Sequence, residues 1–251
     1  MSLVSASGFV GGIKEYVYRG IQQLPIVLAS TSLVYTVATG SMAHLNLFAG
    51  LAFLMPIYTF LLQCIIQFIM NFVAKDTIFW KRASSDTCNL VPSGKQETLS
   101  YYTSDPKGGG AVPSYWLMSI GFFIGYSISN AVDSLLTPAV AGANSVNHEK
   151  RNTQAIFIIV ATSIFSVLII GMRLFYMRGC EGTGWGGVAM SLVAATGAAA
   201  IGQGMYKFSR TCGARSSDLF GVLSQILPAS ASSPHPVVCT ASESEYTENV
   251  E

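Results

Sequence analysis

Apolar runs almost free of charged side chains decide what this chain can fold into: Leu24 to Thr39, Leu45 to Val73, Tyr115 to Leu136, Gln154 to Met172 and Gly184 to Met205. A bilayer core of about 30 Å takes roughly 20 apolar residues of helix, and every run but the first is long enough. Hydrocarbon offers backbone N–H and C=O groups no partner, so such runs must be helices. The expected class is all-α: a multi-pass transmembrane helical bundle of about five spans, or four if the first run is re-entrant. A soluble domain carries about 25% charged residues; here 11% are charged and 51% are hydrophobic.

The net charge of +1 leaves no basic field for nucleic acid. Met1 to Gly12 is Ser/Gly-rich, with no early cation and no cleavage-like site before Leu24, so the first span is expected to be retained. Ser2 excludes N-myristoylation. The 5 cysteines, at 64, 88, 180, 212 and 239, form no CxxC pair and have no His at ligand spacing, which argues against zinc.

The runs divide the chain. Residues 1–23 place Phe9, Ile13, Val17 and Ile21 four apart, with Lys14, Glu15 and Arg19 off that row. Two readings stand, a surface amphipathic helix or a lead-in to the first span. Pro25 suits the first turn of a helix. Residues 24–73 form a transmembrane hairpin closed by Gly40 to His44. Its first run is weakened by Ser30, Thr31, Ser32, Thr36 and Thr39, and its second is expected to kink at Pro56. Residues 74–114 read as a partly ordered polar loop, 115–206 as three transmembrane helices, 207–239 as a soluble tail and 240–251 as a disordered Ser/Glu-rich terminus.

In a five-span arrangement one side holds Lys14, Arg19, Lys75, Lys81, Arg82, Lys95, Lys107, Arg173 and Arg178, against Lys150, Arg151, Lys207, Arg210 and Arg215. The excess predicts a cytosolic 74–114 loop and a tail on the opposite side. Cys212 and Cys239 would then share the oxidising side and form a disulfide, with Cys64, Cys88 and Cys180 reduced.

Polar residues inside the runs are the candidate functional groups. Gln63, Gln67 and Asn71 recur every four residues on one helix face; interhelical hydrogen bonding is the structural reading, a pore lining the functional one. Asp133 shares a face with Tyr126, Asn130 and Ser134. Its position far along the third span predicts an interfacial ion pair with Lys150 or Arg151, against the alternative of a proton relay. Gly187, Ser191, Ala195 and Ala199, beside Ala194, Ala198 and Gly202, form rows of small residues that let helices pack closely. Gly182 to Gly187 reads GTGWGG, but it lacks the Lys-Ser/Thr pair and preceding strand of a phosphate loop. With His44, His148 and His235 isolated and no catalytic motif present, no enzyme activity, cofactor or metal is expected.

The tail contains CGARSSDLFG from Cys212 and PVVC ending at Cys239, and Leu219, Val222, Leu223 and Ile226 would share a helix face. These stretches, set within about 30 residues from Cys212 to Cys239, resemble multi-pass membrane proteins of unassigned activity encoded by large nucleocytoplasmic DNA viruses. The resemblance implies a virion membrane or capsid-associated structural role, with the lipid bilayer, capsid or other virion proteins, and further copies of the chain as partners. The alternative from the residues themselves is a small transporter or channel using Gln63, Gln67, Asn71 and Asp133.

Overall fold

A computed structural model describes residues 3–73, 79–82, 88, 111–136, 145–177, 179–211 and 219. The helices are α1 (Leu3–Thr39), α2 (Met42–Ala49), α3 (Met55–Val73), α4 (Tyr115–Leu136), α5 (Ser145–Tyr176) and α6 (Trp185–Thr211). A π-helical turn, Gly50–Leu54, joins α2 to α3 in one rod. The fold is all-α, and five rods run alternately up and down.

The first run lies in one continuous helix, of which Tyr16–Thr39 is long and apolar enough to cross a membrane. Its hydroxyls do not weaken it, because Ser32 Oγ donates to the Leu28 carbonyl (2.7 Å), Thr36 to Ser32 (2.8 Å) and Thr39 to Tyr35 (2.6 Å). These three hydroxyls are satisfied inside their own helix, as hydrocarbon requires. The 9–23 segment is the N-terminal part of the same helix rather than a separate surface element, and Pro25 lies in the helix interior, not in a first turn. Gly40 stops the helix at φ 66°, its N–H reaching the Thr36 carbonyl at 2.8 Å.

Each helix proline is answered by an aromatic residue of α4. Pro25 cannot donate to the carbonyl four residues back, and that carbonyl, of Ile21, accepts the Trp116 indole N–H at 2.7 Å. Pro56 follows the π turn, in which the Met55 N–H reaches Gly50. Continuing that register, Pro56 would serve Leu51, and the Tyr115 hydroxyl does so at 2.8 Å. The expected kink at Pro56 thus takes the form of a π turn.

α4 is the centre of the bundle. Trp116 to Phe122, Tyr126, Ser127, Asn130 and Ala131 are all buried. The other rods expose apolar side chains outward, such as Phe60, Phe68 and Phe72 on α3 and Phe157, Phe165 and Leu168 on α5. Four helices are long and apolar enough to cross a membrane: Tyr16–Thr39, Met42–Val73, Glu149–Phe175 and Trp185–Thr211. α4 falls outside that set for a physical reason. Its neighbours shield it from lipid, so it tolerates Ser119, Ser127 and Asn130 that a lipid-facing helix would not.

Small residues weld α4 to α6. A Cβ on Gly121 would stand 2.6 Å from the Ala195 carbonyl oxygen; on Gly125 it would collide with the Ala199 carbonyl, and on Gly202 with that of Phe122. The helix backbones are therefore in direct contact, the close approach small residues permit. Of the rows noted in the sequence, Ala195, Ala198 and Gly202 are buried and Ala199 half-buried along α6 at this contact, while Gly187 and Ser191 are buried nearer the α5–α6 link.

Candidate functional site: a buried ion pair beneath a disulfide-tied cap

The α5–α6 link reverses the chain between two glycines of positive φ, Gly179 (90°) and Gly182 (130°), which form an isolated bridge with each other. Such angles suit residues without a Cβ. The turn drives Cys180 and Glu181 inward, where they are 1% and 2% exposed. Glu181 Oε1 accepts from Arg173 Nε at 3.2 Å and from Ser114 Oγ at 2.6 Å, while its backbone carbonyl accepts from Ser191 Oγ at 2.9 Å. Ser114 in turn caps α4, accepting the Leu117 N–H at 3.1 Å. The Arg173 guanidinium lies 5.0 Å from the centroid of the Trp116 ring, a cation–π contact. Four elements thus converge on one ion pair.

The cap over this pair is built from Phe79–Arg82. The Trp80 carbonyl accepts from Val112 N (3.0 Å) and that of Lys81 from Thr183 N (3.1 Å), stitching the segment to both sides. Trp80 packs with Ala111 and Val112 against Ile66, Met70 and Met190. Arg82 Nε is enclosed beneath it. Desolvation pulls the Arg82 guanidinium below its ordinary pKa; Glu181 opposes this and Arg173 adds to it. Phe79 occupies the GTGWGG stretch: a Cβ on Gly186 would meet its ring at 2.9 Å, and one on Gly187 would strike its carbonyl. Those glycines are a seat for Phe79.

A disulfide joins Cys88 to Cys180 across 92 residues. This overturns the expectation that both are reduced; the bundle brings the polar loop and the α5–α6 link to one face, which residue spacing alone does not reveal. Cys64 is free and exposed. The expected Cys212–Cys239 pair lies outside the described residues.

The opposite end carries the second charged group. Asp133 pairs with Arg210 through Oδ1 and accepts the Tyr206 hydroxyl through Oδ2 at 3.0 Å. Close α4–α6 packing puts Arg210 at the level of Asp133, a partner that spacing along the chain does not point to. Beside it, Asn130 Oδ1 accepts the Leu219 N–H at 3.4 Å, Tyr126 donates to the Ala43 carbonyl at 2.9 Å, and Asn46 to Ser209 at 2.6 Å. Ser114 and Asp133 are about 28 Å apart along α4 at 1.5 Å per residue, close to the thickness of a hydrocarbon core. The two charge pairs thus lie near opposite ends of α4.

The amide stripe does not line an interior. Gln63 donates to the Pro113 carbonyl at 2.7 Å, level with the start of α4. Gln67 and Asn71 are exposed further along α3, toward the cap level. Among the described residues no three His, Cys, Asp or Glu side chains are grouped to hold a metal ion.

Sequence reasoning passed over Arg173 and Glu181. Their one signal is position, since each borders an apolar run and a glycine-flanked turn separates them. No protein-family model matches the chain, and comparison with curated proteins and with solved structures finds no match.

Proposed function

We propose that this chain is a structural integral membrane protein that anchors a protein layer to the bilayer. The observation carrying this reading is the placement of its polar groups. Arg173–Glu181 and Arg210–Asp133 are matched pairs near opposite ends of α4, about as far apart as a hydrocarbon core is thick, and the axis between them is filled by α4 side chains such as Phe122 and Tyr126. A transport site near midplane is typically built from broken helices with polar groups converging on a cavity. The interruption among the described residues, the π turn, is occupied by Phe122 against Gly50 and by Tyr115.

Residues 82–113 and the 207–239 tail are the segments proposed to meet that layer. In the finer reading the layer is a viral capsid and the bilayer an internal membrane of the virion, supported by the likeness of the CGARSSDLFG and PVVC stretches. Catalysis forms no part of this proposal.

The test is stoichiometric copurification with particles, followed by crosslinking from the cap segment or tail to shell subunits. Ion or solute flux in proteoliposomes, abolished by Gln63→Ala or Asp133→Asn, with no particle association, would replace the scaffold with a channel or transporter.

A further inference from the structure

We infer that α3 carries the contact face of a parallel homodimer, in which Gln67 and Asn71 hydrogen-bond to the same residues of a second copy.

Spacing and exposure together draw the face. Ile57, Phe60, Cys64, Gln67 and Asn71 follow one another at intervals of three, four, three and four residues along one helix. At 3.6 residues per turn they fall within a strip about 80° wide. All five are exposed. A repeat averaging 3.5 residues is the contact line of a left-handed helix pair, a common geometry in membranes. The inward side of α3 is already used: Thr59 is buried, Gln63 donates to the Pro113 carbonyl, and Ile66 and Met70 pack on the Trp80 cluster.

The amides choose the occupant. Gln67 and Asn71 have no hydrogen-bond partner among the described residues. Phe68, Ile69, Phe72 and Val73, around and beyond them, are exposed, so this end of α3 presents a lipid-facing surface. Hydrocarbon satisfies no amide, and membrane helices meet that need with bonds to one another. A carboxamide both donates and accepts. An identical copy related by a two-fold axis along the membrane normal therefore supplies both halves, and each residue of the strip meets its own counterpart. Gln67 and Asn71 become two amide layers one turn apart, fixing register as a buried Asn does in a coiled coil. The outward face of α5 contrasts with this, since Ser163 is answered within its own helix by the Ile159 carbonyl at 2.7 Å. The pairing is read from α3 alone and stands whatever layer the protein holds.

Cys64 is a built-in probe, free and exposed on the same strip. Across a parallel pair its sulfur comes within disulfide reach of its copy. The test oxidises the full-length protein with copper phenanthroline in its membranes and identifies the linked peptides by mass spectrometry. A Cys64–Cys64 peptide and a covalent dimer are expected. Cys64→Ser should abolish that dimer, and Ile69→Cys in the same background should not restore it, because Ile69 is also exposed but lies on the far side of α3 from the strip. In detergent, Gln67→Leu with Asn71→Leu should raise the dimer dissociation constant about tenfold, read by sedimentation equilibrium. If that variant does not accumulate, the Cys64 and Ile69→Cys comparison decides alone. Absence of the Cys64–Cys64 peptide, equal crosslinking at Ile69→Cys, or a Leu-substituted protein that dimerises as tightly as native overturns the inference. A monomer in sedimentation does so too, and leaves the face to lipid or to a different protein.

Discussion

Trp116 donates its indole N–H to the Ile21 carbonyl at 2.7 Å, and this is the carbonyl that Pro25 leaves without a helical donor. A defect in one span is thereby repaired by another. Phe at position 116 should leave that buried acceptor unmet, a loss of about 1–3 kcal/mol. Pro25→Ala restores the local N–H, so it should recover much of the loss in Trp116→Phe and little in the native background. Thermal unfolding in detergent across the four-variant cycle checks this; strictly additive effects would show that the two residues are not coupled.

The ion pair under the cap should behave as a buried one. Glu181→Ala or Arg173→Ala alone strands a charge in a nearly water-free site, at a cost of about 3–5 kcal/mol. Replacing both, as Arg173→Met with Glu181→Leu, should recover most of that, because the partners are lost together. The measurement is the unfolding midpoint of each variant beside Lys150→Ala, an exposed control. Single variants no less stable than that control would sink the idea.

Helix contact at the α4–α6 seam predicts opposite outcomes for glycines on the same helix. Ala195→Leu or Gly125→Leu must push the α4 and α6 backbones apart, Gly187→Leu must displace the Phe79 backbone seated on it, and folded protein should be lost from gel filtration. Gly204 has nothing within 4 Å of an added Cβ. Alanine there should be neutral or stabilising by up to about 1 kcal/mol, since it removes unfolded-state freedom. Destabilisation by Gly204→Ala would mean that face is covered in the assembled protein.

Asp133 should matter little to folding. Its side chain is 27% exposed and that of Arg210 is 58% exposed, so the pair is solvent-screened and worth about 0–1 kcal/mol. Asp133→Asn should leave assembly into membrane complexes intact, with a midpoint within a few degrees of native. Selective loss of assembly in this variant, while Gly187→Leu and Ala195→Leu assemble normally, would refute the scaffold reading.

Residue order alone determined the membrane class, the number of rods and the small-residue rows on α6, because these depend on local hydropathy and on spacing along one helix. Helix rise alone put Asp133 near the far end of α4, while its pairing with Arg210 depends on α4–α6 packing. Tertiary structure decided everything that depends on which rods are neighbours. Pro25 sits inside a helix because Trp116, 91 positions later, supplies the missing donor. The GTGWGG glycines are a seat because Phe79 returns to them, and Cys88 meets Cys180 because the loop and link share a face. The physical reason is common to all three. Hydrogen bonds, close backbone contacts and disulfides form between atoms adjacent in space, and in a bundle of long rods that adjacency is set by packing, which sequence separation does not encode.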